Sequence, residues 1–154
     1  MEEWERIAKT SEDIKYSVFI GCGKKKRSRG TRAETLYIGA YFKLCLALAK
    51  TITSEKDIYI LSAKYGLIPL EKEIEPYEEK ITSKNKEDRK KWVQSVGEQL
   101  KIFPQGKRVF ICSQQYYKYF EGIKLLPKMG IGLQMQWMKG FLSFNKRRIG
   151  RCLL

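Results

Sequence analysis

The chain switches between two apolar periods, and the switching predicts its elements. Tyr16-Ser17-Val18-Phe19-Ile20 is short, β-branched and aromatic, a strand that runs into the glycine turn Gly21-Cys22-Gly23. From Ala33 to Lys50, Leu36, Tyr37, Ala40, Leu44, Ala47 and Leu48 recur near a 3.6-residue period and predict one helix. Asp57 to Ser62 reads as a second buried strand, and Ala63 to Leu67 turns it into a loop running through Pro69 to Pro76. Asn85 to Phe103 predicts a charged helix with Trp92, Val93, Val96 and Leu100 on its apolar face, stopped by Pro104-Gln105-Gly106. Lys107 to Cys112 supplies a third strand and Gln115 to Leu126 a helix, which Pro127 interrupts. Gly130 and Gly132 then open a last amphipathic segment, Leu133 to Leu142. Ahead of the first strand, Glu2 to Lys9 predicts a short helix with Trp4, Ile7 and Ala8 on one face.

Strands alternating with helices predict an α/β fold with a small, mostly parallel sheet flanked by helices and its working face at the strand carboxyl ends. A length of 154 residues bounds the chain to one domain, and no internal repeat suggests a second. Within that domain, residues 1–14 read as an N-terminal helical extension and 143–154 as a basic C-terminal tail.

Charge changes the picture. Lys+Arg number 31 against 17 Asp+Glu, a formal net charge of +14, so a polyanionic partner is the natural offset to self-repulsion. The charge is clustered: Lys24, Lys25, Lys26, Arg27, Arg29 and Arg32 follow the first strand, and Lys146, Arg147, Arg148 and Arg151 close the chain. A hydrophobic content of 43% is too high for a disordered basic tail, so a folded nucleic-acid-binding domain is expected, with DNA preferred over RNA. No apolar run approaches a membrane span and no signal peptide opens the chain, which predicts a soluble cytoplasmic protein without membrane contact, expected to be a monomer.

Histidine is absent. That excludes a Ser-His-Asp triad, an imidazole base, a two-His metal site and a zinc deaminase of the H-x-E type. The cysteines Cys22, Cys45, Cys112 and Cys152 form no C-x-x-C pair, so neither a metal site nor a disulfide is expected, and no organic cofactor is required. Catalysis must therefore use carboxylate, Lys, Tyr, Cys, Ser or backbone groups.

Four constellations carry such groups. Gly21 to Lys26, after a strand and before a helix, offers backbone N–H groups and ammonium groups to a phosphate, without the G-x-x-x-x-G-K-[ST] spacing of a nucleotide triphosphatase. Leu61 to Leu67 puts Ser62, Lys64 and Tyr65 at the end of an apolar strand; Lys64 can contact phosphate or act as an amine nucleophile, and Tyr65 can stack on a base. Ile74-Glu75-Pro76-Tyr77 is a rigid extended piece whose Glu75 can stabilise an oxocarbenium-like sugar or activate water, although Glu71, Glu73, Glu78 and Glu79 flank it. Gly130 to Trp137 starts a helix with glycines and presents the Gln134 amide to a base edge. Gln114-Gln115-Tyr116-Tyr117 is placed similarly after the third strand, with less specificity.

Taken together, Gly21 to Lys26, Leu36 to Phe42, Ile60 to Leu67, Ile74 to Tyr77 and Gly130 to Trp137 resemble, in order, the motifs of DUF6884-type domains over roughly residues 15 to 140. Those domains are similar to the YaaA peroxide-stress proteins and to the archaeosine synthase catalytic domain, a group with DNA-glycosylase-like α/β folds. The resemblance implies nucleic acid and nucleobase chemistry, and it marks Cys22, Lys24, Lys26, Tyr37, Ser62, Lys64, Tyr65, Glu75, Tyr77 and Gln134 as site candidates. Two departures stand out: Gly21 and Gly23 replace commoner serines, and Tyr65 stands where histidine is frequent.

The expectation is a DNA glycosylase-like enzyme that flips out a modified or damaged base and cleaves its N-glycosidic bond, in repair or phage defence. In it Lys24, Lys26, Arg27, Arg147 and Arg148 hold phosphates, Tyr65 or Tyr77 stacks, Gln134 reads the base, and Glu75 stabilises the developing sugar cation. Lys64 is the alternative nucleophile, through a Schiff base. The rivals are a non-catalytic DNA-binding protein of the YaaA type and an enzyme modifying a tRNA base.

Overall fold

A computed structural model describes residues 15–152 of the chain, with side chains as far as Lys146. The predicted helix over Glu2 to Lys9 and the side chains of Arg147 and Arg148 lie outside the described residues. The centre of the fold is β1 (Ser17–Gly21), whose Val18, Phe19 and Ile20 are all fully buried. On one side β1 pairs in parallel with β3 (Ile58–Ser62), Ile20 opposite Ile60; on the other it pairs in parallel with β6 (Arg108–Ile111), Ile20 opposite Ile111. Such continuous β-branched and aromatic runs belong to strands covered on both faces.

Strand alternation divides the apolar side chains between two cores. Val18, Ile20, Ile58, Ile60, Val109 and Ile111 face one layer, built on α2 (Ala40–Ile52) and α5 (Ile131–Cys152). Phe19, Leu61 and Phe110 face the other, where α3 (Lys86–Leu100) contributes Trp92, Val96 and Leu100 at four-residue spacing. Asn85 caps α3, its side-chain oxygen accepting from the Asp88 N–H at 2.8 Å.

Four predicted features are corrected. The helix expected from Ala33 to Lys50 is broken into α1 (Ala33–Leu36) and α2, because Tyr37 is extended and bridges to Lys26 in antiparallel fashion. Apolar periodicity is blind to this: Tyr37 is buried as a helical pattern demands, yet its backbone belongs to the loop. The loop expected after Ser62 contains β4 (Gly66–Pro69), which doubles back antiparallel onto β3, and β5 (Glu73–Ile74), which pairs with β2 (Thr31–Arg32). The sheet is therefore mixed, though mostly parallel. The helix expected from Gln115 to Leu126 is a single turn, α4 (Gln114–Tyr117), followed by β7 (Ile123–Lys124), parallel to β6. Gly122, at φ 155°, makes that return possible, since a Cβ there would lie 2.6 Å from the Phe110 ring. Finally, α5 runs past Leu142, so backbone read as a basic tail is helical to Cys152.

The five-stranded sheet has the order β4-β3-β1-β6-β7, and with five helices among the described residues it forms one small α/β domain. The chain leaves β1 toward the face of α2 and leaves β6 toward the opposite face, where Tyr116 and Tyr117 of α4 pack. Divergence between neighbouring parallel strands opens a crevice at their carboxyl ends.

Candidate active site at the strand ends

That crevice is occupied by a cavity of about 250 Å³. Cys22, Gly23, Lys24 and Lys26 enter it from the end of β1, and Ser113, Gln115 and Tyr116 from the end of β6. The segment Glu78 to Thr82, which follows β5, closes the remaining side. The volume lies just under the roughly 300–1,000 Å³ of clefts for drug-sized ligands, which suits one small planar or sugar-sized group.

Charge on the wall is mixed. Lys24, Lys26 and Lys80 face it together with Glu78 and Glu79. Glu79 is engaged by Lys84 at 3.1 Å, which leaves Glu78 as the wall carboxylate outside an ion pair among the described residues. Lys26 is held in place from below: its Nζ donates to the Lys24 carbonyl at 3.2 Å and sits 4.4 Å from the centroid of the Tyr77 ring. Cys22 Sγ and the Tyr116 hydroxyl are 3.0 Å apart. Burial first, and the adjacent Cys22 sulfur second, push the Tyr116 phenol above its ordinary range, so it remains a neutral hydroxyl able to donate.

Beneath Lys26 lies a second, fully enclosed network. Ser62, with no exposed surface, accepts the backbone N–H groups of Lys64 (3.2 Å) and Tyr65 (3.0 Å) and donates to the Tyr77 hydroxyl at 2.7 Å. Tyr77 meets the buried Tyr37 hydroxyl at 2.6 Å, and Trp92 Nε1 donates to the Ser62 carbonyl at 2.9 Å. Burial is the main cause that holds Tyr37 and Tyr77 well above the usual phenol range.

The structure brings together some of the residues singled out in the sequence and separates others. Cys22, Lys24 and Lys26 line the cavity. Tyr37, Ser62 and Tyr77 are its buried foundation, so Tyr77 is not presented as a stacking surface. Tyr65 is half-buried against Tyr77, ring centroids 5.5 Å apart, and its hydroxyl donates to the Glu75 carbonyl at 3.3 Å. Glu75 is outside the cavity: its carboxylate lies against Gly30, where an added Cβ would collide with it. Lys64 is exposed on the β3–β4 turn and lacks the apolar enclosure that activates a lysine nucleophile. Arg27 is exposed and donates from Nε to the Thr35 carbonyl at 2.8 Å. Gln134 is buried, both ends of its amide held by the chain: Oε1 accepts from the Tyr41 hydroxyl at 2.7 Å and Nε2 donates to the Pro127 carbonyl at 2.9 Å.

Glu78, Lys80 and Ser113 carried no signal of their own in the sequence. Tyr116 did, through its place directly after a strand. Among the described residues no three His, Cys, Asp or Glu side chains converge on one point, and no helix is long and apolar enough to cross a membrane. Cys45 and Cys112 are buried free thiols and Cys22 is half-buried.

Fold and site together define a small α/β protein with a mixed-charge cavity at the switch point of its sheet. The chain belongs to the DUF6884 family, a family of unknown function, whose sequence profile matches residues 18–140. Neither the curated proteins nor the solved structures yield a match.

Proposed function

We propose that this chain is a nucleic-acid enzyme of the DNA glycosylase type, acting on a modified or damaged base extruded into the strand-end cavity. The observation that carries the reading is the cavity itself, because a space of about 250 Å³ joins lysines, a free carboxylate and a neutral phenol on a chain of net charge +14. The motifs' likeness to the YaaA and archaeosine synthase group supports the same chemistry. Lys24 and Lys26 neutralise phosphates flanking the extruded nucleotide. Glu78 takes a proton from water, the water oxygen bonds to the sugar C1′, and the C1′–N bond breaks. The electron pair leaves with the base, and the Tyr116 hydroxyl donates a hydrogen bond to it as charge develops. In this geometry the carboxylate role considered for Glu75 passes to Glu78.

The test is release of free base, followed by mass spectrometry, from genomic DNAs that are unmodified or carry hypermodified bases. Glu78→Gln is expected to lower release by about 10²–10⁴-fold, while Glu75→Gln leaves it near wild type. Tight, salt-sensitive binding with no base released from any DNA would overturn the reading in favour of a non-catalytic DNA-binding protein.

A further inference from the structure

A second depression, of about 190 Å³, adjoins the cavity and shares Ile81, Thr82 and Gln115 with it as a common ridge. Its own walls carry Arg89, Lys118 and Tyr119. Arg89, half-buried on α3, is aimed by one hydrogen bond, Nη2 donating to the Lys84 carbonyl at 2.8 Å, and no carboxylate pairs with it among the described residues. Its other guanidinium N–H groups remain available. Lys118 is exposed, with Nζ 5.1 Å from the centroid of the Tyr119 ring. The ridge is firm, since Ile81 is buried beside Trp92 and Tyr116 in the same core.

The two hollows differ in sign. The first mixes acid and base; the second presents two cations and an aromatic ring with no acid. Two cations unmatched by carboxylate, a step away from a base-sized cavity, suit the phosphodiester that joins one nucleotide to the next, and Tyr119 suits the neighbouring base. We propose that this second depression is a phosphodiester subsite, so that the protein engages a nucleotide inside a polynucleotide chain rather than a free nucleoside or mononucleotide. The inference rests on the reading of the first cavity given above and adds the requirement for a flanking linkage.

The experiment is fluorescence anisotropy with a labelled short single-stranded DNA oligonucleotide over a range of salt, with dGMP as mononucleotide competitor. Arg89→Gln combined with Lys118→Gln is expected to weaken oligonucleotide binding by about tenfold or more, and to reduce the log–log salt slope by about 0.7, the value for one phosphate contact on a single strand. Arg89→Lys is expected to keep the slope, and dGMP to compete far more weakly than unlabelled oligonucleotide. Lys118→Gln alone, at an exposed position, keeps the test if the double variant does not fold, with a slope change of about half that size. Wild-type affinity and slope in the folded variants, or equal competition by dGMP, would overturn the subsite. Oligonucleotide binding that shows these dependences without any base release leaves the subsite standing and removes the glycosylase reading. No oligonucleotide binding by the wild type removes both.

Discussion

The ends of β1 and β3 look alike as sequence, yet they do opposite things. Each is an apolar strand that stops at a small residue, followed by lysine and glycine within a short turn. Behind β1 the groups stay open: Cys22, Lys24 and Lys26 face a cavity. Behind β3 the small residue turns inward while Lys64 stays exposed, and Ser62 bonds two backbone N–H groups, the Tyr77 hydroxyl and, through its carbonyl, the Trp92 indole. The difference is set by what lies overhead. Tyr37 and Tyr77 roof the end of β3, while the end of β1 faces the divergence between β1 and β6. A polar residue at a strand end is thus a site only where the topology leaves it uncovered.

The largest expected effect erases the comparison. Tyr37, Tyr77 and Tyr116 are held above the phenol range chiefly by burial, and burial pushes the Cys45 thiol up to about 12 from its ordinary 9.0. Unfolded thiols and phenols ionise from about pH 9 to 10 while the folded ones keep their protons, so this stability is complete below that range and lost as pH climbs. Urea midpoints measured from pH 7 upward are expected to be flat and then fall steeply, at about 1.4 kcal/mol per pH unit for each group titrating only when unfolded. Cys45→Ala is expected to flatten the stretch between about 9 and 12.

Ser62→Ala sharpens the contrast at the end of β3. It strands two N–H groups and removes one of the two hydroxyl partners of the buried Tyr77 phenol, and is expected to cost about 3 kcal/mol in urea denaturation. Gly66→Ala, in the turn that leads β3 into β4, is expected to cost about 1–2 kcal/mol because Gly66 sits at φ 73°. Cys22→Ala, at the open end, is expected to change stability by less than about 1 kcal/mol, with the same denaturation series as the check. A loss at Cys22 equal to that at Ser62 would show both ends to be structural.

Sequence periodicity was a good guide where one neighbour decides the conformation. The strands β1, β3 and β6 and the helix α3 were legible because a buried run or a four-residue apolar stripe is a local pattern. What escaped was set by distant partners. Tyr37 leaves the helix because Lys26 and Tyr77 hold it, and the two-residue strands β2, β5 and β7 have too few positions to show any period. The site was half legible for the same reason. The motif after β1 pointed to Cys22, Lys24 and Lys26, but nothing local separates Glu78 from Glu75; only the path of the chain after β5 brings one to the cavity and leaves the other beside Gly30.

The pairing of β2 with β5 has one more consequence. Thr31 opposite Ile74 and Arg32 opposite Glu73 clip the basic loop to the base of the acidic segment that walls the cavity. The two loops, joined at positions about forty residues apart along the chain, are therefore one exchangeable cassette: lengthening or grafting either alone would pull the clip out of register, so new specificity has to be built by replacing both together.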